Sequence, residues 1–403
     1  MINTLNKNTK RRTTQSTAYH NIDWLLLACI LVMLSFGLLM VLSAGSVVGE
    51  RDFHDKYYFF KKQFAFVSLG LVIMCICIYF PRKIINSVHY LAISVTVFLL
   101  LLTLTPLGID VNGASRWLPF FGFSLQPMEF ARIALVLYLS YFLSTHQHLG
   151  RTFSKGVIPP FAITGILCLL LLLQPDFGAA IILLAILFFL CLAGGTRFIY
   201  LALSFSMMTT LAVSLIMNSP YRMRRLLAFI DPFKDAQGTG YQLVQSFYAL
   251  AEGSFLGVGM GNGRQKLLYL PEAHNDFIVS VIGEELGLLG ITIMMSLFMI
   301  IFARCYKIVI GQKELRDKLT SFGLSLIIAL GATLNLAVIM GMVPPKGVAI
   351  PFLSYGGSSM IATMICVGLI LNYSRTTAFE EKPNTVSGKT TNPAMQKLNK
   401  EYA

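Results

Sequence analysis

A chain of 403 residues, 55% hydrophobic and only 13% charged, with long runs that carry no ionisable side chain, is excluded from being a soluble globule with an enlarged core. The formal net charge of +13 would suit nucleic acid, but the Lys and Arg residues lie between apolar runs and at the termini, so positive-inside topology accounts for it and no nucleic-acid partner is expected. Seven cysteines (Cys29, Cys75, Cys77, Cys168, Cys191, Cys305, Cys366) sit in or beside apolar runs, which excludes a disulfide framework and a zinc site.

Residues 1–22 read as a cytoplasmic tail in which Lys10, Arg11 and Arg12 precede the apolar run from Trp24 to Leu42. Ser43-Ala44-Gly45 has the small residues of a signal-peptidase site, but the run exceeds the usual h-region of about 7–15 residues and reads as a span. Taking about 20 residues as the length that crosses a bilayer, apolar segments fall at 23–43, 63–80, 88–107, 127–144, 157–174, 177–194, 198–217, 278–302, 319–342 and 353–373. The expected fold is therefore an all-α polytopic membrane protein of about ten helices, within a domain at 23–375. An even number puts both termini on one side. The short loops carrying Arg82, Lys83, Arg151, Lys155, Arg197, Arg304, Lys307, Lys313, Arg316 and Lys318 make that side cytoplasmic, with Lys61 and Lys62 running against the rule. Gln174-Pro175-Asp176 then forms an outer hairpin tip, 218–277 a large extracytoplasmic loop, and 376–403 a polar, disordered cytoplasmic tail.

The loop has the composition of a site. Tyr221-Arg222-Met223-Arg224-Arg225 opens it, Arg264 and Lys266 come near its end, and Gly257-Val-Gly259-Met-Gly261-Asn-Gly263 lies between. Glycine amides can turn toward an anion, and arginine pairs with phosphate bidentately, so a phosphate or pyrophosphate ligand is expected. The plain alternative is a flexible turn, and neither nucleotide fingerprint fits. Next come Glu272, His274 and Asp276, which in an extended segment would project to one side and serve a divalent cation or general base work. Alternatively, Asp276 only caps the helix that begins at Phe277. Glu284 and Glu285, about two turns into the next span, require partners, because an unpaired carboxylate there costs several kcal/mol. Glu129 and Arg132 either neutralise one another or touch a substrate. Arg116, Asp176 and Lys346 share the outer side with Asp276, so that face suits a large, anionic, membrane-anchored ligand such as a lipid-linked pyrophosphate sugar.

The chain resembles the SEDS (shape, elongation, division and sporulation) family from about Trp24 to Arg375. The resemblance rests on Gly113-Ala-Ser-Arg116-Trp117, Gln126-Pro-Met-Glu129-Phe, Gln174-Pro-Asp176-Phe-Gly178, Arg225-Leu-Leu-Ala-Phe-Ile-Asp231-Pro232, Gly238-Thr-Gly-Tyr241-Gln242, the glycine run, Leu270-Pro-Glu-Ala-His-Asn-Asp276-Phe and Ser354-Tyr-Gly-Gly-Ser-Ser359. Glu272-Ala-His274 and Pro345-Lys346-Gly347 are more similar to the cell-division branch, FtsW, than to the rod-elongation branch, RodA. Asn275 stands where Thr is usual, Met128 where Ser is usual and Arg132 where Lys is common.

The resemblance implies a glycosyltransferase that polymerises lipid II into peptidoglycan at the outer face of the bacterial cytoplasmic (inner) membrane, at the division septum. Asp276 matches the essential loop acid. Arg116, Glu129, Arg264, Lys266, Glu272, His274, Lys346 and Ser358 are the substrate-binding candidates. A divalent cation, Mg2+ or Mn2+, is the one cofactor considered, with Glu272, His274 and Asp276 as its candidate ligands, and no organic cofactor is expected. The implied partners are a class B penicillin-binding protein, docked around spans eight and nine, and other division proteins. A sugar hydroxyl is a poor nucleophile, so a carboxylate must take its proton, and the departing pyrophosphate needs cationic help. An α-linked donor and β-linked product imply inverting displacement with one base. The competing readings are a lipid II flippase, supported by acids at membrane depth, and a divisome scaffold that recruits the transpeptidase.

Overall fold

The computed structural model describes residues 22–377 except 112–113, 121, 148–152, 219 and 239; the expected tails, the candidate cleavage of the leader aside, fall almost wholly outside these residues. Thirteen α-helices are described: α1 (Trp24–Phe53), α2 (Tyr58–Tyr79), α3 (Arg82–Ser87), α4 (His89–Thr103), α5 (Pro127–Thr145), α6 (Ile158–Leu173), α7 (Phe177–Ala193), α8 (Phe198–Met217), α9 (Pro220–Ile230), α10 (Tyr241–Gly253), α11 (Ile278–Ile310), α12 (Leu315–Ile339) and α13 (Gly357–Thr377). Seven are long and apolar enough to cross a membrane, and shorter apolar helices lie at His89–Thr103, Phe177–Ala193 and Phe198–Thr210. This is a polytopic helical membrane protein.

The expected all-α class needs one correction. Between α4 and α5 the chain forms a small antiparallel sheet, β1 (Ile109–Val111), β2 (Ala114–Phe120) and β3 (Phe123–Leu125), in the order β1-β2-β3. Gly122 at the β2–β3 turn has φ +84, a conformation that strains other residues. The large loop also carries structure of its own in α9 and α10.

Local chemistry sets the helix ends. Asp23 caps α1 by accepting from the Leu26 N–H at 3.0 Å, and Asp176 caps α7 by accepting from that of Ala179 at 3.0 Å. Pro127 opens α5 at a position where its missing N–H costs nothing. Helix α5 forms the centre of the bundle and is buried nearly all round, packed by α4, α7 and α12. Close approach elsewhere uses glycine: a Cβ on Gly37 of α1 would fall 2.3 Å from the Phe352 carbonyl oxygen. Polar ties cross the end of the bundle expected to be cytoplasmic. Arg304 of α11 pairs with Asp23 at 2.7 Å, and Arg82 donates through Nε to the Asn372 side chain at 3.0 Å.

Helix α11 has 33 residues, well beyond the predicted 278–302 and about 13 more than a bilayer requires. A break explains the excess. Gly287 takes φ 65, ψ −161, so residues 278–286 form a separate first segment above the continuing span.

Candidate active site

Asp276 sits in a turn between Leu270 and Phe277, not in an extended strand, so the expected one-sided row of Glu272, His274 and Asp276 is replaced by three divergent side chains. Glu272 has φ 56, is exposed, and accepts from the Asn275 side-chain amide. His274 is buried against Phe59 of α2, with ring centroids 4.2 Å apart, and its Nδ1 has no partner among the described residues. Burial lowers its proton affinity below that of ordinary histidine. Among the described residues no group of three His, Cys, Asp or Glu side chains could hold a metal ion, so the trio does not fit a three-donor centre. Nor does Asp276 cap α11: Phe277 occupies the N-cap position and no side chain bonds there.

The carboxylate of Asp276 instead meets the strap of residues 340–356 that links α12 to α13. Its Oδ2 would lie 2.6 Å from a Cβ at Gly347, so any other residue there would displace the carboxylate. Asp276 is half-buried; burial first and the Glu272 charge second push its carboxyl up to about 7, opposed by Lys346. Lys346 lies across Gly178 at the start of α7, where a Cβ would come within 1.9 Å of its Cε. Its Nζ is buried without a hydrogen-bond partner among the described residues, and burial brings it down to about 7 against the pull of Asp176.

Arg116 of β2 completes this outer rim. It donates through Nη2 to the Pro175 carbonyl at 2.6 Å, and its Nε is 3.8 Å from Asp176 Oδ2. The sheet thus serves to bring Arg116 over the α6–α7 tip. Glu129 and Arg132 on α5 pair at 3.0 Å, face Lys346 electrostatically, and line a cavity under the strap with Gly331, Ser354, Ser359 and Thr363. Five expected residues (Arg116, Glu129, Asp176, Asp276 and Lys346) therefore belong to one electrostatic constellation.

Others are committed elsewhere. Ser358 accepts from the Gln126 N–H at 2.9 Å and donates to the Ser124 carbonyl at 3.2 Å, fastening α13 to β3 and the start of α5. Lys266 is buried and pairs with Glu285 at 2.8 Å, while Ser43 of α1 donates to both Glu285 oxygens at 2.7 Å. Glu284 accepts from the Arg264 and Gln265 amides, at 2.5 Å and 3.1 Å to Oε1. These are the partners that acids at this depth require. The Arg264 guanidinium is exposed, 3.5 Å from Glu252. Of the loop's opening cluster, Arg224 is exposed, while Tyr221, Arg222 and Arg225 lie outside the described side chains.

The first amides of the glycine run are engaged by the protein itself. The Gly287 break frees the carbonyls of Glu284 and Glu285, and the amides of Val258 and Gly259 bond to them at 3.0 Å each. In return, the Leu288 and Leu289 amides donate to the Ser254 and Phe255 carbonyls at 3.0 Å and 3.2 Å. Gly257, at φ 79, must lack a Cβ, which would sit 2.2 Å from the Glu285 carbonyl oxygen. The run closes the wound in α11.

Three residues outside the candidate site set hold the Asp276 turn. Ser354 donates to the Asn275 carbonyl at 2.7 Å, Gln63 donates through Nε2 to the Ser354 carbonyl at 3.1 Å, and Asn335 donates to the Asp276 carbonyl at 2.7 Å. A lone carboxamide inside an apolar helix is the signal that marks Gln63 and Asn335, since such groups need partners.

The geometry tests itself at Gly347. Gly347→Ala is expected to push the Asp276 carboxylate aside by up to about 1 Å, and a displacement of that size at a group touching reacting atoms is worth about 10²-fold in rate. The purified variant should keep its thermal midpoint while losing turnover.

Fold and site together define a polytopic helical membrane protein with a carboxylate and cations gathered at the rim of its expected outer face. The chain belongs to the FtsW/RodA/SpoVE family, described as Cell cycle protein, whose model matches residues 23–378. A protein of Trichlorobacter lovleyi, "Probable peptidoglycan glycosyltransferase FtsW", is 41% identical over 353 residues, covering 87% of this chain and 93% of the relative. One of the same name from Pasteurella multocida is 39% identical over 355 residues, covering 87% and 89%. A solved structure described as "Structural coordination of polymerization and crosslinking by a peptidoglycan synthase complex" is similar with TM-score 0.73 and 27% identity, over 88% of this chain and 98% of that one. The rod shape determining protein RodA of Thermus thermophilus shares the fold, with TM-score 0.67 and 24% identity over 89% and 98%.

Proposed function

We propose that this chain polymerises lipid II with Asp276 as general base. It is a peptidoglycan glycosyltransferase of the cell-division type, as its family and its FtsW-named relatives support. The observation that carries the mechanism is Asp276, a half-buried carboxyl tuned up to about 7, facing a strap whose Lys346 ammonium has no hydrogen-bond partner among the described residues. A base poised near neutral pH takes a proton most effectively. The acceptor sugar's hydroxyl oxygen bonds to the donor's anomeric carbon as its proton passes to Asp276. The bond from that carbon to the undecaprenyl pyrophosphate breaks, and the electron pair leaves on the phosphate oxygen, where Lys346 and Arg116 offset the charge. One base on one face gives inversion.

The seven long and three shorter apolar helices support ten spans with both termini cytoplasmic, a topology in which Asp276, Lys346 and Arg116 would lie outside. The septum and a class B penicillin-binding protein partner follow from the division-type relatives and the synthase-complex neighbour. Glu129, Arg132, Glu284 and Glu285 are each paired inside the protein, which removes the support that acids at depth lent to a flippase. Because Glu272, His274 and Asp276 diverge, they do not fit a shared three-donor site for Mg2+ or Mn2+.

Purified protein with its transpeptidase, given lipid II in detergent, is expected to yield glycan strands. Detergent has no second compartment. Absence of polymer there, together with transfer of lipid II between leaflets of liposomes, would replace the polymerase with a flippase. Running the assay with chelator and with added Mg2+ or Mn2+ separates a metal carried by the substrate from none.

A further inference from the structure

We propose that Asn335 is a positioning residue for this reaction, its side-chain amide fixing the spacing between the Asp276 turn and the strap that carries Lys346. The proposal rests on the assignment of Asp276 as base. Asn335 lies one turn before the end of α12 and is 1% exposed. Its Nδ2 carries two hydrogens, and both are used, one on the Asp276 carbonyl and one on the Val348 carbonyl, each at 2.7 Å. An sp2 amide holds those hydrogens in one rigid plane. The two carbonyls therefore cannot drift apart independently, and each belongs to a segment that carries one of the two proposed groups, the base Asp276 and the charge-offsetting Lys346.

The neighbours make the coupling tight. Gly347, adjacent to Val348, is in contact with the Asp276 carboxylate, and Lys346 precedes it. Ser354 makes a parallel tie, accepting from the Ile350 N–H at 2.9 Å and donating to the Asn275 carbonyl at 2.7 Å. The cost side of the balance points the same way. Asn335 Oδ1 is buried with no hydrogen-bond partner among the described residues, and Asn is a poor helix former. Helix α12 would be served better by Leu or Ala at this place. What an apolar residue could not do is hold two carbonyls at once.

The test is steady-state lipid II polymerisation in detergent by the full-length protein with its transpeptidase, comparing wild type, Asn335→Ala, Asn335→Ser and Asp276→Asn. The expected result is a fall in kcat of about tenfold or more for both Asn335 variants. KM for lipid II should stay within about threefold, since the ties touch catalytic geometry and not uniform substrate binding. The thermal midpoint of each variant reports folding.

If Asp276→Asn keeps the wild-type rate, the base assignment fails and takes this proposal with it. If Asp276→Asn is inactive but both Asn335 variants retain wild-type kcat, the base stands and the positioning role is wrong. A raised KM with unchanged kcat would make Asn335 a binding residue, and failure of both variants to fold would make it a purely structural one. Either outcome overturns the proposal.

Discussion

Asp276→Asn is expected to lower lipid II polymerisation by about 10²–10⁴-fold while leaving the thermal midpoint in detergent nearly unchanged. The side chain makes no helix cap and the turn is held through backbone carbonyls by Asn335 and Ser354, so removing the charge removes chemistry and little structure. Wild-type activity should also follow a bell in pH. A base works only when deprotonated, so with the Asp276 carboxyl at about 7 the rate rises as pH climbs toward that value. Lys346 must stay protonated to meet pyrophosphate, so with its ammonium also at about 7 the rate falls beyond it. Because the two groups interact, both apparent values belong to the pair. Measuring kcat/KM from pH 5 to 9 checks the shape; a flat profile across neutrality would remove both roles. Lys346→Met should abolish the alkaline limb along with most of the rate.

The second large effect is on stability. Glu285→Ala leaves the Lys266 ammonium buried with only Ser43 at 3.2 Å, and an uncompensated buried charge costs about 3–5 kcal/mol. The variant should show a depressed thermal midpoint and low yield. Replacing both partners, Lys266→Met with Glu285→Leu, should recover most of the loss, because it deletes the charge pair without orphaning either half. Recovery in midpoint is the decisive readout; if the double variant melts no higher than Glu285→Ala, the pair is not what holds α1, α11 and the loop together.

Hydropathy alone made the membrane architecture legible, because apolar runs near bilayer length have few other uses. It could not show the break in α11. "GEELGLLG" reads as continuous helix with glycines in it, and only the φ 65 of Gly287 divides it. The sheet between α4 and α5 escaped for the opposite reason, since strands of three, seven and three residues are too short to show a period.

At the site, topology did most of the work: placing Arg116, Asp176, Asp276 and Lys346 on one face required only counting spans. What stayed hidden were the internal partners of side chains, because those partners are remote in sequence. Lys266 and Ser358 have the chemistry of substrate contacts, but Glu285 in one case and Gln126 with Ser124 in the other already claim them. That two amides of the glycine run are taken by carbonyls freed at Gly287 could not be read from the sequence either. Asn335 and Gln63 were missed because each is one polar letter in an apolar helix.

The repair of α11 by the glycine run has a consequence for cooperativity. A segment whose composition suggests the loosest part of the chain exchanges four backbone hydrogen bonds with the helix at its break: two given by Val258 and Gly259, two received by Ser254 and Phe255. Neither party can open without stranding the other's amides or carbonyls in an apolar setting. The loop segment 254–259 and the first part of α11 are therefore expected to open together, so hydrogen exchange at the Val258, Gly259, Leu288 and Leu289 amides should proceed at one shared rate.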